Sequence, residues 1–227
     1  LAASSLQQPR AKAAAGVART LRVAFNTAET GFDPVQISDF NSSSVVASIF
    51  ESPLTYDHLA RPLKLRLQTA AAMPEISADF TSFTFRIRPG IYFADDPAFG
   101  GRPRELVAQD YVYTVKRFYD PKYNAENVYI FENAKVLGLS EQRDAARSSK
   151  APFNYDQEVE GIRALDRYTF RVRLGAPGPR FHHQFAAPLY TGAVAREVVQ
   201  AYADEVAAHP VGTGPFRLAS WRRASRI

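Results

Sequence analysis

The sequence predicts a mixed α/β fold, and three observations carry that prediction. Short runs alternate apolar and polar residues with the period of two that half-buried strands require: Leu21–Phe25, Phe83–Arg88, Tyr168–Leu174 and Phe216–Trp221. Ala108–Phe118 instead places its apolar positions 111, 112, 115 and 118 on one helical face, and Val194–Ala208 reads as an amphipathic run of good helix formers. Between them lie turn signals, Pro89-Gly90, Asp166-Arg167 and Pro177-Gly178-Pro179.

The chain has 227 residues, 46% of them hydrophobic, enough to bury a sizeable core in one large domain or two small ones. No apolar run approaches the roughly 18 residues that span a bilayer. Cysteine is absent, which excludes disulfides and thiolate metal sites. The formal charge is +5, but Lys and Arg are interleaved with acids along the chain, the pattern of a solvated surface. No nucleic-acid-binding motif accompanies them, so nucleic acid is set aside as a partner.

In chain order, Leu1–Thr20 is rich in Ala, Ser and Gln with neither an initial Met nor an apolar leader segment. It reads as a frayed tail, or as a short surface helix over Ala11–Ala18. Leu21–Phe25 runs as a strand into the polar loop Asn26–Pro34, the kind of segment that carries ligand contacts. Asn41 or Ser42 is the expected N-cap of a helix through Val45, Val46, Ile49 and Phe50. Leu63–Ala72 alternates, Phe83–Arg88 is a clear strand, and Ser140–Lys150 is helix-compatible. Val159–Leu165 and Tyr168–Leu174 flank Asp166-Arg167 as a hairpin. His209–Pro215 is a tight turn whose Gly212 and Gly214 leave backbone N–H groups uncovered, so that a ligand can approach closely.

These residues carry a resemblance. His209-Pro210-Val211-Gly212-Thr213-Gly214-Pro215-Phe216-Arg217-Leu218-Ala219-Ser220-Trp221 is similar to the GTGPY-x-L-x-x-W segment of the bacterial extracellular solute-binding proteins of family 5, the peptide and nickel class of ABC-importer receptors. Gly31-Phe32-Asp33-Pro34 resembles that family's LDP loop, with Phe32 where Leu is usual, and Glu51–Asp57 resembles the segment that follows it. Phe83–Pro97 resembles yTFxLRxGvkFhDG, with Asp-Pro where Asp-Gly is usual. Ala108–Phe118 resembles tAeDVvfSlkR and is the strongest match. The expected Trp near Met73-Pro74 is missing. The resemblance covers most of 21–221 in order.

The resemblance implies the first lobe of a bilobal, class II periplasmic-binding-protein-like fold, with the second lobe absent from this chain. Residues 1–20 are then the mature N-terminal tail, 21–50 and 185–227 the ligand-facing part, and 51–184 an inserted α+β subdomain. It implies a periplasmic, monomeric, non-enzymatic receptor that hands a small-molecule or oligopeptide ligand to ABC transporter permease subunits, with no cofactor. The implied ligand-binding residues are Asn26, Thr27, Ala28, Glu29 and Thr30 in the first loop, Asn127 and Tyr129 near the cleft mouth, and Gly212, Thr213 and Gly214 in the last turn. Glu29 is expected to read a cationic group. Leu21–Phe25 and Phe216–Trp221 are expected in one sheet, with loops 26–34 and 210–215 on the same edge.

Other constellations read as structural. Adjacent His182-His183 diverge and lack a third ligand with supporting spacing, so no metal is expected. Asp95-Asp96 is a pair of turn acids, and no G-x-S-x-G elbow accompanies the serines. A hydrolase or lyase, and a structural or chaperone-like surface protein, are the alternatives from other classes. The first lacks a nucleophile–base constellation.

Overall fold

The computed structural model describes residues 20–227, so the expected N-terminal tail and the alternative helix at Ala11–Ala18 lie outside the described residues but for Thr20. The elements in order are α1 Phe40–Ile49, β1 Leu54–Asp57, β2 Lys64–Leu67, β3 Glu75–Ile76, β4 Ser82–Arg86, α2 Ala108–Tyr119, α3 Tyr129–Asn133, α4 Leu139–Ser149, β5 Ile162–Ala164, β6 Thr169–Arg173, α5 Pro188–Thr191 and α6 Arg196–Tyr202. Short 3₁₀ turns join them, among them Pro34–Gln36, Phe181–Ala186 and Ala203–Ala208.

β1 and β2 pair as an antiparallel hairpin, while β3, β4, β6 and β5 form, in that spatial order, an antiparallel four-stranded sheet. The expected hairpin at Asp166-Arg167 joins β5 to β6. Register decides which face is dry. Phe83 sits opposite Val172, Phe85 opposite Phe170 and Ile162 opposite Val172, and all five are buried. The period of two then turns Thr84, Arg163 and Arg171 to the other face.

α2 covers the dry face. Tyr111 stacks on Phe170 with ring centroids 5.3 Å apart, and Phe170 stacks on Phe85 at 5.0 Å. The helix therefore reaches the Phe83–Arg88 strand through β6 rather than by lying directly on it. Its one-faced pattern also understated its burial, because Tyr113, Thr114, Lys116 and Arg117 are buried as well. The cause is a second apolar cluster on its far side, made of Phe32, Ile37, Val46, Ile49, Phe50, Val194, Val199 and Val206 with Tyr113. The charged groups driven inside find partners: the Lys116 Nζ donates to the carbonyls of Tyr155 and Gln157 at 2.9 and 2.6 Å, and both Arg117 Nη atoms donate to Asp33, although the Arg117 Nε is left without a partner among the described residues.

Three expectations are corrected. Leu21–Phe25 and Phe216–Trp221 form no ladder among the described residues, and so share no sheet. A strand needs a partner for its backbone groups. Leu21–Phe25 finds none and stays irregular and exposed, whereas Phe216 donates its N–H to the Ser48 carbonyl at 3.3 Å and Trp221 packs inward. The N-cap of α1 is Asp39, whose Oδ1 accepts the Ser42 N–H at 2.8 Å, and Asn41 and Ser42 serve the neighbouring loop instead. The helix expected over Val194–Ala208 is shorter: α6 stops at Tyr202, Ala203 takes φ +47°, and a 3₁₀ turn follows. That break lets Tyr202 stack on His209, with ring centroids 4.0 Å apart, while its hydroxyl donates to Asp96.

Candidate ligand-binding site

α1 organises the candidate loops, one at each end. At its N-terminus the Asn41 Nδ2 donates to the Thr27 carbonyl and to Thr27 Oγ1 at 2.8 and 2.9 Å. The Thr30 N–H donates to Ser42 Oγ at 2.9 Å, and the Thr30 hydroxyl donates to Asp39 Oδ2 at 2.6 Å. At its C-terminus the Gly214 N–H donates to the Ile49 carbonyl at 2.8 Å, and the Gly212 carbonyl accepts from the Ala94 N–H at 2.9 Å. Thr213 Oγ1 donates to Glu51 Oε2 at 2.9 Å. A helix of 10 residues is roughly 15 Å long, and Thr27–Thr30 and Gly212–Gly214 are held at its opposite ends.

The glycines of the Gly-Thr-Gly turn thus serve a different close approach from the one the sequence implied. A Cβ on Gly212 would lie 2.0 Å from the Ile49 carbonyl oxygen, and one on Gly214 2.7 Å from the carbonyl oxygens of Ile49 and Ser48. The close approach is to the end of α1. Further along, the loops do meet: Phe32 and Asp33 line one small cavity with His209, Pro210 and Val211.

An open cleft of about 1120 Å³ runs between Thr20–Glu29, Val45 and Ala224–Ile227. Of the sequence-derived candidates, Asn26, Thr27, Ala28 and Glu29 line it, whereas Thr30, Asn127, Tyr129, Gly212, Thr213 and Gly214 do not. Glu29 is buried, and its Oε1 accepts from the Trp221 indole N–H at 2.6 Å and from the Ala224 N–H at 2.9 Å. Burial pushes this carboxyl up, but the bonds from Trp221 and Ala224, with Arg223 nearby, outweigh it and hold the pKa below 4.5. Asn127 is buried too, its Nδ2 donating to the Ile37 carbonyl at 3.0 Å. Tyr129 is exposed at the start of α3.

Two cleft residues, Arg22 and Arg226, escaped the sequence reading. Arg22 sits within a run that alternates as a strand does, and Arg226 lies past the last motif, so neither carries a signal. His183 Nδ1 lies 3.1 Å from the Tyr56 hydroxyl, and His182 stacks on Phe83. Asp96 caps the Pro97–Phe99 turn by accepting the Ala98 N–H at 2.9 Å.

The fold and its loops define a piece of a bilobal, periplasmic-binding-protein-like molecule. Residues 64–227 match the model of the bacterial extracellular solute-binding proteins, family 5 (middle part), and the chain belongs to that family. It is similar to di/tripeptide-binding protein 2 of Pseudomonas aeruginosa, 26% identical over 92% of this chain and 37% of the relative. The glutathione-binding protein GsiB of Pectobacterium atrosepticum is 23% identical over 90% of this chain and 33% of its own length. Among solved structures, Listeria monocytogenes OppA bound to peptide superposes with a TM-score of 0.67 at 25% identity, covering 84% of this chain and 34% of that one. Haemophilus influenzae OppA in complex with the peptide RPPGFSPFR gives 0.68 at 25% identity, covering 85% and 34%. The chain therefore spans about a third of the length of these relatives.

Proposed function

We propose that the whole protein is an extracytoplasmic receptor that captures a peptide-like or other small solute and delivers it to the permease subunits of an ABC importer. In this reading the chain contributes part of the first lobe. Residues 21–50 and 185–227 face the ligand, and 51–184 form the inserted subdomain. The observation that carries the reading is family membership across 64–227, and relatives named for di/tripeptides, glutathione and oligopeptides favour a peptide-like solute. Those relatives are binding proteins by name, which favours a receptor over a hydrolase or lyase.

Capture would proceed by closure of two lobes, driven by contacts made only in the closed, loaded state. Asn26–Ala28 offer backbone and amide groups to an extended ligand, the mode of strand addition. Arg22 and Arg226 supply guanidinium groups for its carboxylate. Thr30, Asn127 and Gly212–Gly214 hold the loops in place, Glu29 ties the cleft walls together, and Tyr129 offers an exposed aromatic face away from the cleft lining. The receptor works as a periplasmic monomer. The test is native mass spectrometry of the full-length protein for a co-purified solute, followed by titration with di- and tripeptides and glutathione. Saturable binding without turnover is expected. Turnover of a peptide, or failure of every peptide to bind, would overturn the reading.

A further inference from the structure

The β1–β2 hairpin ends in a well-formed tip that holds apolar side chains out in solvent. Leu59 is 92% exposed, Leu63 58% and Leu67 42%. The tip is internally bonded: Asp57 Oδ1 accepts the Leu59 N–H at 3.1 Å, the Ala60 N–H donates to the Asp57 carbonyl at 3.2 Å, and Arg61 Nη1 donates to the carbonyls of His58 and Ala60 at 2.9 and 2.8 Å. Its root is anchored, because Leu54 is in the main core and Tyr56 and Leu65 pack against that core. The projection of Leu59 is therefore a property of the fold.

Cations surround these leucines. Lys64 and Arg66 are exposed on the strand face opposite Leu63, Leu65 and Leu67, and Arg61 lies in the turn between Leu59 and Leu63. Among the described residues none of the three forms an ion pair. Asp57 stands directly across from Lys64 in the ladder, but its Oδ1 is turned to the Leu59 N–H. The hairpin thus combines a protruding apolar tip with a collar of three cations and one carboxylate, net positive.

We propose that this tip is a peripheral contact for an anionic lipid bilayer surface. Leu59 and Leu63 enter the boundary between headgroups and acyl chains, and Arg61, Lys64 and Arg66 lie among the lipid phosphates. The apolar side chains need only the roughly 5–10 Å of depth that interfacial segments occupy. The cations match the sign of the headgroups, each Lys or Arg being worth about fivefold in partitioning. A protein partner or a second copy fits less well, because a narrow tip offers far less than the about 800 Å² per side of a stable protein interface. The inference does not depend on which solute the receptor takes.

Co-sedimentation of the full-length protein with vesicles tests it. Vesicles of equal phosphatidylglycerol and phosphatidylcholine should retain the protein, and pure phosphatidylcholine should not. Lys64→Glu/Arg66→Glu should weaken retention by more than about tenfold, since each site loses a cation and gains a like charge. Leu59→Asp should weaken it as well. Lys135→Glu/Lys150→Glu, with the same change in net charge at exposed positions elsewhere, should change it less than about twofold. All these positions are exposed, so unchanged melting temperatures confirm that folding is intact. Retention undiminished in the hairpin variants, equal loss in the control, no preference for the anionic vesicles, or self-association that the hairpin variants abolish would overturn the proposal. Peptide titration of the same variants should be unaltered, which keeps this test separate from the receptor reading.

Discussion

Arg117 and Asp33 lie 84 positions apart and form a bidentate ion pair, Nη1 to Oδ1 at 2.7 Å and Nη2 to Oδ2 at 2.8 Å, with both side chains 1% exposed. The Arg117 guanidinium also covers the Tyr123 ring at 4.5 Å, and Gln36 Nε2 donates to Asp33 Oδ2 at 2.6 Å. The pair fixes the end of the first candidate loop to the buried helix α2. Breaking a buried pair on one side strands the other charge without solvent or partner, which costs about 3–5 kcal/mol. Asp33→Asn or Arg117→Met should each lower unfolding stability by that amount in urea titrations. The double replacement Asp33→Leu/Arg117→Met should lose less than the two single losses added together. Single losses below about 1 kcal/mol would show that the pair does not hold the loop.

Gly212 makes a second prediction. Its missing Cβ leaves room for the Ile49 carbonyl, where an added methyl would sit 2.0 Å from oxygen. Backbone cannot yield as a flexible side chain does, so Gly212→Ala should destabilise by at least the roughly 1–3 kcal/mol of an overpacked site. Gly214→Ala, with 2.7 Å contacts to the same stretch, should follow in the same direction. Equal stability of Gly212→Ala and the parent chain in chemical denaturation would refute the packing role.

Much of this was legible in the sequence, and the failures share a cause. The hairpin at Asp166-Arg167, the strand at Phe83–Arg88 and the helix from Ala108 rest on local periodicity plus partners within the chain, and they appear. Leu21–Phe25 has an equally clean alternation, but a strand is a relation between two segments and the described residues supply no second one. The all-round burial of α2 is hidden in the sequence because the apolar positions 111, 112, 115 and 118 mark only one face, and Lys116 and Arg117 are charged. Only the carbonyls of Tyr155 and Gln157 and the carboxylate of Asp33 reveal why they can go inside. In the site, Gly212 and Gly214 were legible as a place of close approach, but what approaches is the end of α1.

Asp39 links helix α1 to the candidate loop and should give a pH signature. Burial pushes its carboxyl up, but the donors of Ser42 and the Thr30 hydroxyl outweigh it and hold the pKa below the ordinary 3.8. A depressed carboxyl stabilises the fold above its unfolded pKa and loses that contribution as pH falls through its folded value. Asp39→Ala should therefore cost about 1 kcal/mol at pH 7, the usual worth of an N-cap. The gap between variant and parent should shrink below about pH 4 as both lose the ionised cap. A gap that stays constant from pH 7 down to acid unfolding would show that Asp39 does not cap as a carboxylate.

The last prediction separates two roles for Glu29. If its carboxylate reads a cationic group on the ligand, Glu29→Gln should weaken cationic peptides selectively, and Trp221→Phe should leave that selectivity alone. The geometry argues for a strap instead: Oε1 already accepts two bonds, from Trp221 and Ala224, and the side chain is 4% exposed. Trp221 meanwhile packs edge-on against Phe32, with ring centroids 5.0 Å apart, so Phe at 221 keeps an aromatic ring there but deletes the N–H. A bond to a charged acceptor is worth about 1.5–3 kcal/mol, and both Trp221→Phe and Glu29→Gln should lose stability on that scale. Both should also loosen the wall formed by residues 26–29 and 224–227, and so weaken neutral, acidic and basic peptides by the same factor. Titration of the full-length variants with a tripeptide series differing only in charge measures this. A loss confined to basic peptides in Glu29→Gln would establish the carboxylate as a ligand contact and refute the strap.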